Sequence, residues 1–147
     1  MPRFVVLWHE TPPDASRASH FDLMLEDEAA LLTWASVEPL DSVEPCSLLE
    51  LPPHRSAYLD YEGPVSNNRG QVTRRHRGEF VWIERTPNRL IVELHGETLR
   101  GRATLERIER SLNGAEGSAA RDANETAATW RWTLTPRPET QARVASG

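Results

Sequence analysis

Apolar side chains recur at every second position in short runs, and Pro, Gly, Asp, Asn and Ser break the runs. That period fits half-buried strands, whose side chains point alternately to two faces. The run at 3–8, RFVVLW, is apolar enough for a largely buried strand. Residues 20–26, HFDLMLE, predict a second strand, with Phe21, Leu23 and Leu25 facing a core, and 31–36, LLTWAS, a third. The stretch 37–53 carries four prolines and reads as mostly irregular, with SLLEL as one strand or a helical turn. QVTRRHRGEFVWIE reads as two strands around Gly78. The clearest signal is RLIVELHGETLRGRATLERIER, a hairpin turning near His95–Gly96 followed by a strand after Gly101. TWRWTLT alternates strictly and predicts a last strand. Residues 111–127 have almost no large apolar side chain and read as a flexible insertion, and 136–147 as a disordered C-terminal tail. About eight short strands at this spacing, with helix limited to a turn or two, favour a barrel or a sandwich.

Composition narrows the class. A chain of 147 residues is one domain by length, here expected over 1–135. A single cysteine, Cys46, excludes an internal disulfide framework and suits a reducing compartment. The N-terminal apolar run is too short for a signal peptide and no stretch approaches a membrane span, so a cytoplasmic protein is expected. A net charge of −5 argues against non-specific coating of nucleic acid. The basic residues are all arginine, and Arg74, Arg75 and Arg77 form a knot around His76 that either grips a phosphate backbone or lies along a solvated strand face.

The chemistry concentrates between His9 and Glu26. His20 and Asp22 are two apart and share one face of a strand, and pairing with the first strand brings His9 over them. Two imidazoles and one carboxylate, without thiolate, suit a divalent metal such as Mn²⁺ or Zn²⁺, although on this loose spacing they also read as three unrelated polar residues at strand ends, satisfied by backbone or water. His54 and Tyr58 can line the same pocket, one as proton donor and the other as a hydrogen-bond donor to an anionic oxygen, although a tyrosine in this setting also serves as core. Glu26 and Glu62 either orient the imidazoles from behind or are surface charge. Cys46 has no basic neighbour to lower its pKa and is not read as a nucleophile. The chain has no Gly-rich phosphate loop, no G-x-S-x-G and no H-E-x-x-H.

Several motifs occur in one order: RFVVLWH, HFDLMLE, LLTWA, H-x-x-x-Y-L-D-Y-E-G-P-V, G-x-V-x-x-x-x-x-G-x-F, L-x-V-x-L-H-G-x-x-L-x-G-x-A-x-L-x-R and a closing W-x-L. In that order they resemble the 3′-phosphoesterase domain of bacterial DNA ligase D, over nearly the whole chain except 111–127 and the tail. The resemblance implies a compact, closed or partly closed β-barrel with minor helical segments. It implies a Mn²⁺-dependent enzyme that removes a 3′ ribonucleoside or 3′-phosphate from nucleic acid, leaving a 3′-OH for a polymerase or ligase acting in trans. The family's metal ligands fall on His9, His20 and Asp22, and its further essential histidine and tyrosine on His54 and Tyr58. Two departures stand out. Met24 occupies a position where the family usually has a phosphate-directed arginine, and the loop between His9 and His20 is longer than usual. The first leaves open a member that binds 3′ ends or a repair partner without cleaving.

Overall fold

A computed structural model describes residues 1–15, 17–28, 30–65, 69–108 and 127–137. The expected insertion, apart from its last residue, and the tail beyond 137 lie outside the described residues. In chain order the strands are β1 Arg3–Glu10, β2 His20–Asp27, β3 Ala30–Ser36, β4 Cys46–Arg55, β5 Gly63–Pro64, β6 Gln71–Thr86, β7 Arg89–Gly96, β8 Arg100–Ile108 and β9 Thr129–Pro136. One 3-10 turn, Ser56–Leu59, lies between β4 and β5. The sheet order is β1-β2-β3-β4-β9-β8-β7-β6-β5, and β1 also pairs β6, so eight strands close into a ring with β5 appended to β6. The fold is mainly β and closed, as expected, and its helical content among the described residues is that single turn. None of it is long and apolar enough to cross a membrane.

Alternation sorts the side chains into two cores. Phe4, Val6, Leu23, Leu25, Phe80, Val92, Leu94, Leu105 and Trp132 belong to one cluster drawn from all around the ring, which fills the lumen. Val5, Leu7, Met24, Leu31, Leu59, Val65 and Val72 form a second cluster on the outer face of β1 and β2, roofed by the 3-10 turn and the β5 segment. Each fully buried Leu or Met contributes roughly 1.5–3 kcal/mol, so packing alone can hold that roof in place. Burial on both faces is why β1 reads as a continuous apolar run instead of an alternating one.

Four sequence expectations change. Residues 46–55 form one strand despite Pro52 and Pro53. Thr33 pairs with Leu51 but Leu31 with His54, so the two prolines stand opposite a single residue as a bulge, where a missing N–H breaks no ladder bond. β6 is one strand, not two: its first half pairs β1 and its second half β7. The exchange of partners happens at Gly78, where a Cβ would lie 2.4 Å from the Gly96 Cα. The hairpin turn falls just after Gly96, closed by its N–H donating to the Leu99 carbonyl. Finally, Pro136 ends β9 and Arg137 pairs with the buried Glu93 at 2.7 Å, so both belong to the fold and not to a tail.

Candidate metal centre

β1 and β2 pair antiparallel with His9 opposite His20 and Leu7 opposite Asp22. The register therefore sets both histidines and the aspartate on one face, the outer one, at the end of the second core. His20 and Asp22 are buried and His9 is half-buried. His20 Nε2 lies 3.2 Å from Asp22 Oδ1 and His9 Nδ1 lies 3.7 Å from Oδ2. One ligand atom from each of the three residues falls within 4.8 Å of the others. Ligands on a tetrahedral ion with bonds near 2.1 Å sit about 3.4 Å apart, so the two contacts to Asp22 are already close to that spacing.

Backbone carbonyls fix which nitrogen faces inward. His9 Nε2 is 2.7 Å from the Arg69 carbonyl oxygen and His20 Nδ1 is 2.7 Å from that of Ala18. A carbonyl only accepts, so each of these nitrogens carries a proton, and in the neutral rings His9 Nδ1 and His20 Nε2 turn lone pairs toward Asp22. Lone pairs then face a carboxylate, and Asp22 Oδ1 is buried without a hydrogen-bond partner among the described residues. A cation at the shared point resolves that opposition. With no ion and the inward nitrogens protonated instead, burial pushes the Asp22 carboxyl up, but hydrogen bonds donated by His20 and His9 outweigh it and hold the group below the usual carboxylate range. The same carboxylate raises the pKa of His9.

The three residues form the floor of an open cleft of about 580 Å³, walled by Thr11, Pro12, Asp14, Ala15 and Arg17 of the β1–β2 connection, by Leu51, Pro52 and His54 of β4, and by Arg69. The proline bulge re-aims the end of β4 so that His54 stands on the same outer face as Leu31 and Met24. His54 Nδ1 donates to the Pro52 carbonyl at 2.9 Å, leaving Nε2 as its reactive nitrogen. Tyr58 meets His54 edge-on at 5.7 Å between ring centroids and packs against the second core. It is not among the residues lining the cleft.

Other predicted residues lie elsewhere. Glu26 accepts from the Arg3 backbone N–H at 2.8 Å and Glu62 from that of Arg74 at 2.7 Å. Neither orients an imidazole, and the carbonyls of Arg69, Ala18 and Pro52 take that role. The basic knot is split by a bulge between Val6 and Leu7 in the β1–β6 pairing. Arg74 and Arg77 fall opposite Leu7 and Val5, whereas His76 falls opposite Val6 on the other face. Arg75 stands over the Trp8 ring at 5.9 Å and Arg77 pairs with Glu97 at 3.3 Å. None of the three arginines lines the cleft; Arg17 and Arg69 do. Cys46 is buried, and burial raises its thiol pKa, as an inert core cysteine requires.

No protein-family model and no curated protein matches this chain. What the cleft can do follows from its own groups: a hard-to-borderline N,N,O ligand set, a third imidazole with one nitrogen open, and two guanidiniums at the rim.

Proposed function

We propose that this chain is a metal-dependent phosphoesterase that processes the 3′ ends of nucleic acid, removing a 3′-phosphate or 3′-ribonucleoside to leave a 3′-OH for repair. The observation that carries this reading is the convergence of two imidazole lone pairs on one buried carboxylate, at the floor of a cleft that also holds His54. Their chemistry fits a resident ion, since the buried Asp22 Oδ1 has no other partner among the described residues. His9, His20 and Asp22 would hold Mn²⁺, and Zn²⁺ suits the same set. When bound, such an ion polarises a phosphoryl oxygen.

The protein's own groups supply the rest. In hydrolysis of a 3′-phosphate, water adds to phosphorus, the bond from phosphorus to the 3′ oxygen breaks, and that oxygen takes up a proton as inorganic phosphate leaves. We assign the proton to His54 Nε2, because Nδ1 is held by Pro52. Tyr58 acts through His54, fixing its ring plane, and is a positioning residue. The direct test is release of inorganic phosphate from a 3′-phosphorylated primer-template with Mn²⁺. Wild-type protein should release it and His20→Ala should not; absence of metal-dependent release from the wild type refutes the enzyme.

Met24 favours a second reading. It is 1% exposed and sits two residues beyond Asp22 on the same strand. Losing one charge-assisted phosphate contact there costs roughly 1.5–3 kcal/mol, or one to two decades in rate. A chain that binds 3′ ends without cleaving them would show retained affinity for such ends in the same assay with no phosphate released.

A further inference from the structure

Position 24 cannot hold a phosphate, so the cleft must find its positive charge elsewhere. Met24 is sealed in the second core with Leu31, Leu59 and Val65, out of reach of any ligand. The cleft has two cations of its own, Arg17 and Arg69, both with exposed side chains and contributed by different connections.

Both are fixed through their backbones. In the β1–β2 loop, Thr11 Oγ1 donates to the Arg17 carbonyl at 2.8 Å, and the Thr11 N–H donates to Ser19 Oγ at 3.0 Å. The Ala15 N–H donates to the Pro12 carbonyl at 3.0 Å, tightening the same loop. The Arg69 carbonyl accepts from His9 Nε2 at 2.7 Å. Gly70, next in sequence, has φ +96°, and a Cβ there would stand 1.9 Å from the Glu10 carbonyl oxygen. The chain therefore presses on the end of β1 just where Arg69 enters the cleft.

Charge decides what such a pair can take. Before His54 takes up the proton it delivers, with His9 and His20 neutral, the two guanidiniums balance the carboxylates of Asp14 and Asp22 among the described lining residues. The cleft is thus close to neutral by itself, and a divalent ion leaves it doubly positive, the complement of a terminal phosphate dianion. An internal phosphodiester, with a single charge, matches it less well.

We propose that Arg17 and Arg69 together grip the terminal phosphate, and that the long β1–β2 loop carries Arg17 to the cleft in place of a cation at position 24. This rests on the phosphoesterase reading for the substrate but not for its test. The probe is a 5′-fluorescein single-stranded oligonucleotide ending in an uncleavable 3′-methylenephosphonate, compared by anisotropy with the same oligonucleotide ending in 3′-OH, both with Mn²⁺. Wild-type protein should prefer the phosphonate end by roughly ten- to a hundred-fold. Arg17→Gln and Arg69→Gln should each reduce that preference and the double variant abolish it, with 3′-OH binding little changed. Both substitutions leave the backbone carbonyls in place, and unchanged thermal melting confirms the fold. A preference that survives the double variant, or no preference in the wild type, overturns the proposal. If the wild type releases no phosphate yet its phosphonate preference depends on these arginines, the enzyme reading fails and the grip stands.

Discussion

A histidine is oriented by whatever its second nitrogen touches, and here each imidazole of the cleft touches a carbonyl. His9, His20 and His54 are held by Arg69, Ala18 and Pro52 at 2.7, 2.7 and 2.9 Å. The ligating residue types and the i, i+2 spacing of His20 and Asp22 are legible in the sequence. The orienting groups are not, because every residue has a carbonyl and nothing in its letter says where that oxygen points. By letter alone, glutamates are the natural orienting candidates and Arg69 is only one more basic residue. A fourth histidine tests the electrostatics away from the cleft. Burial lowers the pKa of His76, Asp41 at 3.9 Å pulls it up and Arg75 pushes it further down; its Nδ1 pairs with Thr98 Oγ1 at 2.7 Å. Its folded pKa is below the unfolded value of 6.5. The unfolded chain therefore takes up the proton first as pH falls, and His76 contributes stability above that value that is lost through the window below it. Urea unfolding between about pH 7.5 and pH 5.5 should show falling stability, with a shallower fall in His76→Asn. An NMR midpoint for His76 at or above 6.5 contradicts this.

At the scale of elements, the site is made by irregularities in strands that periodicity alone predicts as regular. The period-2 pattern gives the existence and approximate place of β1, β2, β3, β7, β8 and β9. It fails at β4, where two prolines suggest an irregular segment, and at β6, where Gly78 suggests a break. In both places the strand continues through a defect that places a cleft residue or closes the ring: the Pro52–Pro53 bulge turns His54 onto the cleft face, and Gly78 lets one strand serve two partners. A bulge depends on the partner strand, which a local window does not see. Gly70 is the comparable device beside the candidate metal centre. Gly70→Ala places a methyl group on the Glu10 carbonyl in a backbone conformation that L residues rarely adopt. We expect the Arg69 carbonyl to leave His9, lowering the melting temperature and weakening Mn²⁺ binding by about ten-fold or more, as loss of an orienting partner does. A Gly70→Ala protein with wild-type Mn²⁺ affinity would show that the Arg69 carbonyl does not orient the ligand.

The whole molecule is a closed ring with a second small core outside it, and the candidate site sits at the border of the two. Closure follows from β1 pairing on both sides, with β2 and β6. That pairing joins segments about seventy residues apart, which strand periodicity does not encode; barrel and sandwich share the same pattern of strands. What decides for a closed ring is the β1–β6 pairing itself. Because β1 and β2 are packed from both sides, His9, His20 and Asp22 rest on a part of the sheet with little freedom to relax, as a preformed ion site requires. Isothermal titration of Mn²⁺ into the intact chain tests this most directly. One ion should bind per chain in the wild type, and Asp22→Ala, otherwise folded, should bind none; a wild type that takes up no divalent ion, or an Asp22→Ala variant that binds as well, would contradict the account.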